Sequence, residues 1–343
     1  MSTDLMIGVD LAKSVFQVHG ASMTGDFRFR RKLSRQAFLT FMAEQPVAVV
    51  VMEACGSAHY WVRVLSGFGH DVRLIAPHYV RPFVKRQKND AADAEAIVVA
   101  AQRPEMRFVE PKSEAQQSAA ILYRSRQRLV RQRTDIVNAV RAALYEFGHI
   151  IPKGIHHIGQ IRDILEAPNS DLPPLMREEC LAMVEQIGEL KRLLDAKTAK
   201  IKALAAATPV SQRLQTMPGV GPLVAMAVET FGPAMTSFHS GRDFAAWIGL
   251  VPRQFSSGGK ERFGRITKAG QADIRQMLII GAMSRLSWMG RKAIPEGSWL
   301  ARMMARKPRM LVAIALANKM ARQIWAMLTK NEDYKNPTPL AAA

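Results

Sequence analysis

The hydrophobic pattern of the first hundred residues changes period repeatedly, and each change predicts an element. Leu5–Val9 is a short apolar run ending in Asp10, and Ser14–His19 is rich in β-forming residues. Asp26–Leu33 alternates Phe27 and Phe29 with arginines and reads as a third strand. Ser34 can cap a helix that carries Phe38, Leu39 and Phe41 towards Pro46. Val47–Met52 is continuously apolar, which suits a central strand buried on both faces, and it delivers Glu53 at its end. A helix near 58–66, a strand at Asp71–Ile75, a loop through Pro77 and Pro82, and a helix from Asp90 to about Ala101 complete the set. Strands and helices in this order predict an α/β sheet. Its acids would gather at one edge, because sites in open α/β sheets lie at the carboxyl ends of strands.

Beyond residue 110 the period lengthens to that of helices. A long helix is predicted over 113–147, with Leu122, Leu129, Ile136, Val140 and Leu144 as its apolar seam. A linker containing Pro152, Gly154, Pro168, Pro173 and Pro174 follows. A second long helix over 175–206 spaces Ile187, Leu194 and Ile201 seven apart, with Leu190 and Leu204 on a companion seam. That heptad pattern predicts an antiparallel coiled-coil insertion and an oligomer contact. The last third reads as mainly α. Met217-Pro218-Gly219-Val220-Gly221-Pro222 lies between helices at 213–216 and 223–230, like the turn of helix-hairpin-helix DNA modules, where the following amides face a phosphate. Further helices are predicted over 244–250, 272–288 and 309–329, then a disordered tail from Glu332. The expected domains are an α/β catalytic domain (1–110), an arginine-rich helix with coiled coil (111–207), a C-terminal domain (208–330) and a tail (331–343).

Charge changes this picture most. Lys and Arg number 48 against 29 acids, a formal charge of +19, which points to a polyanionic partner, most commonly nucleic acid. On the first long helix Arg124, Arg126, Arg128, Arg131, Arg133 and Arg141 stand with Asp135 as the acid among them. One-signed arginine suggests phosphate contact, and Arg124, Arg128 and Arg131 are the candidates. A second basic stretch surrounds Ser256-Ser257-Gly258-Gly259 with Arg253, Lys260, Arg262, Arg265 and Lys268. Cys55 and Cys180 are too few for a disulfide framework and fit a reducing compartment. The start Met1-Ser2-Thr3-Asp4 lacks a signal-peptide layout, and the apolar stretch near 310–328 is broken by Asn318, Lys319, Arg322 and Gln323. A cytosolic protein with no membrane partner is expected.

The candidate chemistry rests on four carboxylates. Asp10 and Glu53 end strands, while Asp90 and Asp93 are spaced i, i+3 on one helix face behind a basic run of Arg81, Lys85, Arg86 and Lys88. An ordinary first helical turn, capped by Asn89 or Asp90, would also favour acids there. Four carboxylates without His or Cys favour Mg²⁺. Phosphodiester cleavage commonly uses two such ions about 3.5–4 Å apart. Asp10 would bridge them, with Glu53 on one side and Asp90/Asp93 on the other. Ser256 or Ser257 could attack phosphorus with its charge balanced by Arg253, Lys260, Arg262 or Lys268, or could simply donate hydrogen bonds in a phosphate loop.

The blocks Gly8-Val9-Asp10-Leu11-Ala12-Lys13, Met52-Glu53-Ala54-Cys55-Gly56-Ser57 and Lys88-Asn89-Asp90-Ala91-Ala92-Asp93-Ala94 resemble the signatures of one transposase group. Met217–Gly221 and the stretches Ser256–Lys260 and Thr267–Gly270 do likewise. The chain is thus identified as similar to the insertion-sequence one-ten family, over about residues 5–330. The resemblance implies an RNase H-like domain of the RuvC type, long coiled-coil helices, and a mainly α C-terminal transposase domain. It implies Asp10, Glu53, Asp90 and Asp93 as a catalytic, metal-binding set for Mg²⁺, with the nucleophilic serine at Ser257 and Ser256 beside it. It also implies donor and target DNA, a structured guide RNA, a tetramer in which acids of one subunit meet the serine of another, and a bacterial, nucleoid-associated setting. The competing readings are an actin-like ATPase, a non-catalytic nucleic-acid scaffold, and a junction resolvase or nuclease that cuts with water. The ATPase reading lacks its glycine after Asp10, where Leu11-Ala12-Lys13 stands.

Overall fold

The computed structural model describes residues 4–84, 90–289 and 297–335. The chain divides into two compact units, one ending at Glu114 and one beginning at Ala115.

The first unit is built on a six-stranded sheet of order β3-β2-β1-β4-β5-β6. Its strands are β1 (Leu5–Asp10), β2 (Val15–Ser22), β3 (Phe27–Ser34), β4 (Val49–Glu53), β5 (Asp71–Ile75) and β6 (Phe108–Val109). The first three form an antiparallel meander, β1, β4 and β5 run parallel, and β6 closes the edge antiparallel. Helices α1 (Arg35–Glu44) and α2 (Ala58–Gly67) cross between strands, α3 (Pro77–Val80) is a single turn, and α4 (Asp90–Ala101) follows. Ser34 caps α1 by accepting from the Ala37 N–H at 3.3 Å. The alternation of side chains in β1 and β4 sorts them into two cores. Ile7, Val9, Val50 and Met52 join Phe38, Met42, Trp61 and Leu65 of α1 and α2. Met6, Val49 and Val51 join Ile97, Val98 and Ala100 of α4. The unbroken apolar run of β4 therefore has a layer on each side. Phe16, Phe38 and Trp61 pack edge to face at 4.9–5.1 Å between centroids. The edge strand β6, two residues long, is too short for any sequence pattern to announce.

The second unit is helical. Helices α5 (Glu114–Glu146) and α7 (Pro174–Ala207) run antiparallel. Arg126 Nε donates to Thr198 Oγ1 at 2.8 Å, Val140 and Leu144 share a core with Cys180 and Val184, and Ala120 and Tyr123 share another with Ile201 and Ala205. The buried positions of α5 differ from the expected seam. Tyr123 and Val137 are buried, whereas Leu122, Leu129 and Ile136 are half-buried. The expected linker contains a helix, α6 (Ile158–Glu166), whose Ile161 and Leu165 pack into the Val140/Cys180 core.

Helices α8 (Pro209–Gln215) and α9 (Pro222–Phe231) flank the Met217–Gly221 turn. Thr208 Oγ1 and Ser211 Oγ donate to Glu229 at 2.7 and 2.6 Å and tie the two helices together. The core of α9 also holds α10 (Gly241–Trp247), α11 (Ala272–Met289), α12 (Trp299–Arg306) and α13 (Arg309–Lys330), with α11 against both α9 and α13, and α10 and α12 against α13. Between α10 and α11, β7 (Pro252–Gln254) and β8 (Phe263–Ile266) form a two-stranded hairpin that the basic composition had concealed. Residues 332–335 of the expected tail are tied down: Tyr334 N–H donates to Thr216 Oγ1 at 2.9 Å, and Asp333 pairs with Arg213 at 3.7 Å. Among the described residues no helix is long and apolar enough to cross a membrane.

Candidate active site

Asp10 and Glu53 are the last residues of β1 and β4, which pair in parallel with Val9 beside Met52. Parallel neighbours end on the same side, so both carboxylates stand at the carboxyl edge of the sheet. Gly8 brings the third acid there. A Cβ on Gly8 would lie 2.4 Å from the Ala94 carbonyl oxygen and 2.6 Å from Val98 Cγ2. The missing side chain lets α4 lie directly on β1, with Asp93 one residue before that contact. The electrostatics agree. Burial first, then the charges of Asp10 and Asp93, push the Glu53 carboxyl above its usual range, and Arg81 opposes them. Asp90 opens α4, but its side chain, like Lys85, Arg86, Lys88 and Asn89, lies outside the described residues.

Among the described residues no three His, Cys, Asp or Glu side chains are gathered so that they could hold a metal ion together. An open, all-oxygen edge whose acids repel one another nevertheless fits Mg²⁺, which keeps several waters and takes one or two carboxylates plus substrate phosphate. Asp10, Glu53 and Asp93 are the described acids at this edge, near enough for the first and last to act on the charge of Glu53.

The second candidate centre is the β7–β8 hairpin. Gln254 pairs with Phe263, Phe255 N–H donates to the Arg262 carbonyl at 2.8 Å, and Ser257 bridges to Lys260. Gly258 and Gly259 form the two-residue turn, with φ of 56° and 78°. Positive φ at both central residues is what a type I′ hairpin turn demands, and glycine meets it without strain. Cross-strand partners share a face, and successive residues alternate. One face therefore carries Arg253, Phe255, Ser257, Lys260 and Arg262, and the other carries Gln254, Ser256, Glu261 and Phe263. Contacts agree with this sorting. The Ser256 hydroxyl accepts from Gln254 Nε2 at 3.0 Å and from the Arg262 N–H at 3.4 Å. The exposed Ser257 side chain makes no hydrogen bond among the described residues. Lys268, in the left-handed region at φ 55°, and Arg265 are also exposed. Arg275, which no motif had singled out, donates to the Ile248 and Ala269 carbonyls at 2.6 and 2.8 Å and anchors the loop behind the hairpin.

The arginines of α5 divide by partner. Arg124 pairs with Asp273 at 3.7 Å and lies over the Phe231 ring, Arg126 holds Thr198, and Arg141 donates to the Ile151 carbonyl. Arg128 and Arg131 are exposed and have no ion pair among the described residues. Of the three candidate phosphate contacts, Arg124 thus also has a structural role.

Known proteins align with both centres. Residues 7–148 match the DEDD IS110-type family model, described as a transposase, and residues 211–295 match the one described as "Transposase IS116/IS110/IS902 family". The chain is 43% identical to a putative transposase, y4pF/y4sB, of Sinorhizobium fredii, over 96% of this chain and 86% of that one. It is 42% identical to a probable family 20 transposase of Pseudomonas aeruginosa, over 96% and 98%. It is 38% identical to the transposase for insertion sequence element IS1111A of Coxiella burnetii, over 96% and 91%.

Proposed function

Since the chain belongs to the IS116/IS110/IS902 transposase family and is an insertion-sequence DNA transposase, we propose that it cuts and rejoins DNA through Ser257 with the acids Asp10, Glu53, Asp90 and Asp93. The observation that supports this most is the hairpin register. Ser257 shares a face with Arg253, Lys260 and Arg262, whereas the Ser256 hydroxyl is taken up by Gln254 and the Arg262 amide. Ser257 Oγ attacks phosphorus, an Oγ–P bond forms, and one P–O bond to deoxyribose breaks. The Ser257 proton goes to solvent or a carboxylate, and the leaving oxygen acquires one. A free deoxyribose hydroxyl reverses the step, so one phosphoester replaces another without a nucleotide cofactor. The cations balance the negative charge that grows on the phosphorane oxygens. Bound Mg²⁺ would supply Lewis-acid stabilisation of the attacking or leaving oxygen.

The same reading takes the sheet as RNase H-like of the RuvC type, α5 and α7 as an antiparallel coiled coil and tetramer contact, and the Met217–Gly221 turn as a helix-hairpin-helix-like DNA contact. It includes guidance by a structured RNA, for which Arg128 and Arg131 offer exposed cations. Arg265 and Lys268 belong with the DNA contacts of the hairpin.

A labelled DNA strand run with the protein on a denaturing gel tests the chemistry. Ser257→Ala is expected to lose the covalent adduct, and Ser256→Ala to keep it. An adduct lost only in Ser256→Ala would move the nucleophile to the neighbour. Normal cutting by both variants would mean attack by water, the chemistry of a junction resolvase.

A further inference from the structure

The hairpin carries two large exposed aromatics that the serine chemistry does not use. Phe255 and Phe263 are each 60% exposed, on opposite faces. Phe255 alone shares its face with Ser257. It stands two positions along the strand, about 7 Å away at strand rise, roughly the reach of one nucleotide. Its ring lies across Gly264 of the opposite strand, where an added Cβ would approach to 2.8 Å. The inner side of the ring thus has a flat, side-chain-free floor, while its outer side faces solvent. Arg253 precedes it by two residues on the same face, and Arg262 is its cross-strand partner. An exposed ring between guanidiniums presents a stacking surface with phosphate anchors beside it, the combination that holds single-stranded nucleic acid. Phe263 has Glu261 on its own face, which repels phosphate.

We propose that Phe255 stacks on a nucleobase of the DNA strand that Ser257 captures, next to the scissile phosphate. The stacked base fixes the strand, and Arg253 and Arg262 hold the phosphates on either side. The assignment rests on Ser257 as the attacking group, and it makes Phe255 a substrate-positioning residue. The geometry reads a π-face rather than a hydrogen-bond edge, so every base is accepted and preference follows stacking strength.

The test uses the full-length protein and a single-stranded thymidine oligonucleotide carrying one 2-aminopurine, whose fluorescence is quenched on stacking. Phe255→Ala and Phe255→Leu are expected to abolish the quench and weaken binding about 5- to 100-fold. Phe255→Trp should keep both, and Phe263→Ala should leave them unchanged. Leucine separates stacking from mere packing, because it preserves an apolar strand residue without a π-face. Quenching that survives in Phe255→Leu overturns the proposal, as does equal loss in Phe263→Ala. The covalent adduct is scored in parallel. An adduct that persists in Ser257→Ala refutes the serine and leaves the stacking result standing. An adduct lost in Ser257→Ala beside an unchanged quench in Phe255→Ala refutes stacking and leaves the serine.

Discussion

Gly8→Ala tests how the acidic edge is assembled. The added methyl would stand 2.4 Å from a backbone oxygen, Ala94 O, and 2.6 Å from Val98 Cγ2. Ordinary van der Waals contact begins near 3.4 Å, so α4 must retreat by about 1 Å, and only the valine half of the clash can be relieved by a rotamer. Overpacking of this kind costs about 1–3 kcal/mol. For a domain of this size that lowers the melting temperature by several degrees for each kcal/mol. The functional loss should exceed the thermal one. Asp93 rides on the same helix turn as Ala94, and a misplacement of about 1 Å can cost about 100-fold in rate. Strand cleavage under single-turnover conditions, measured well below the variant's melting temperature, separates the two effects. Val98→Ala is the control, since it loosens the contact without moving α4 off β1. A Gly8→Ala protein that melts and cleaves like the parent would refute the seating of α4 on Gly8. If it cleaves normally despite melting early, Asp93 does not depend on that contact.

Two further predictions follow from charge. The folded state raises the Glu53 carboxyl above its ordinary value of 4.5, so the favourable contribution of the protonated acid is present below that value and is lost as pH rises through the folded one. In chelator at neutral pH, Glu53→Gln should therefore melt higher than the parent, with the advantage vanishing towards pH 4. Added Mg²⁺ should stabilise the parent and not the variant, and a variant no more stable than the parent in chelator would contradict the repulsion among Glu53, Asp10 and Asp93. On α5, Arg128→Gln and Arg131→Gln should each reduce the salt slope of nucleic-acid binding by about 0.7–0.9 with no change in melting, whereas Arg126→Gln should loosen the α5–α7 pair through Thr198. An unchanged slope in the double variant would make Arg128 and Arg131 a solvated face.

The first unit was legible because each of its signals is local. Val49–Met52 is apolar at every position since it has a layer on both faces, and Asp10 and Glu53 stand out as acids ending apolar runs. The helix α6 was hidden by the prolines around it, although Ile161, Ile164 and Leu165 repeat at helical spacing within it. On α5 what the sequence left out was of another kind. Six arginines beside one acid read as a phosphate surface, yet Arg124 finds Asp273 and Arg126 finds Thr198, partners 149 and 72 residues away. Composition along a helix reports its own charges and not those folded against it. The hairpin did carry a sequence signal, two glycines between short β-capable runs, which the surrounding cations made look like a loose basic loop.

That hairpin also shows why adjacency in sequence is a poor guide to equivalence in chemistry. Ser256 and Ser257 have the same side chain, the same neighbours in composition and the same exposure, so no count of nearby cations distinguishes them. A strand with period two sends them to opposite sides. The Gly258-Gly259 turn then decides which side each residue meets, because it sets the register that pairs Ser257 with Lys260 and Phe255 with Arg262. One residue more or fewer in the turn would exchange the cross-strand neighbours of the two hydroxyls, while their neighbours along the strand would stay. The glycines therefore do more than relieve strain in the turn. They fix the parity of the hairpin, and that parity sets Lys260 and Arg262 on the face of Ser257 and Glu261 and Phe263 on the face of Ser256.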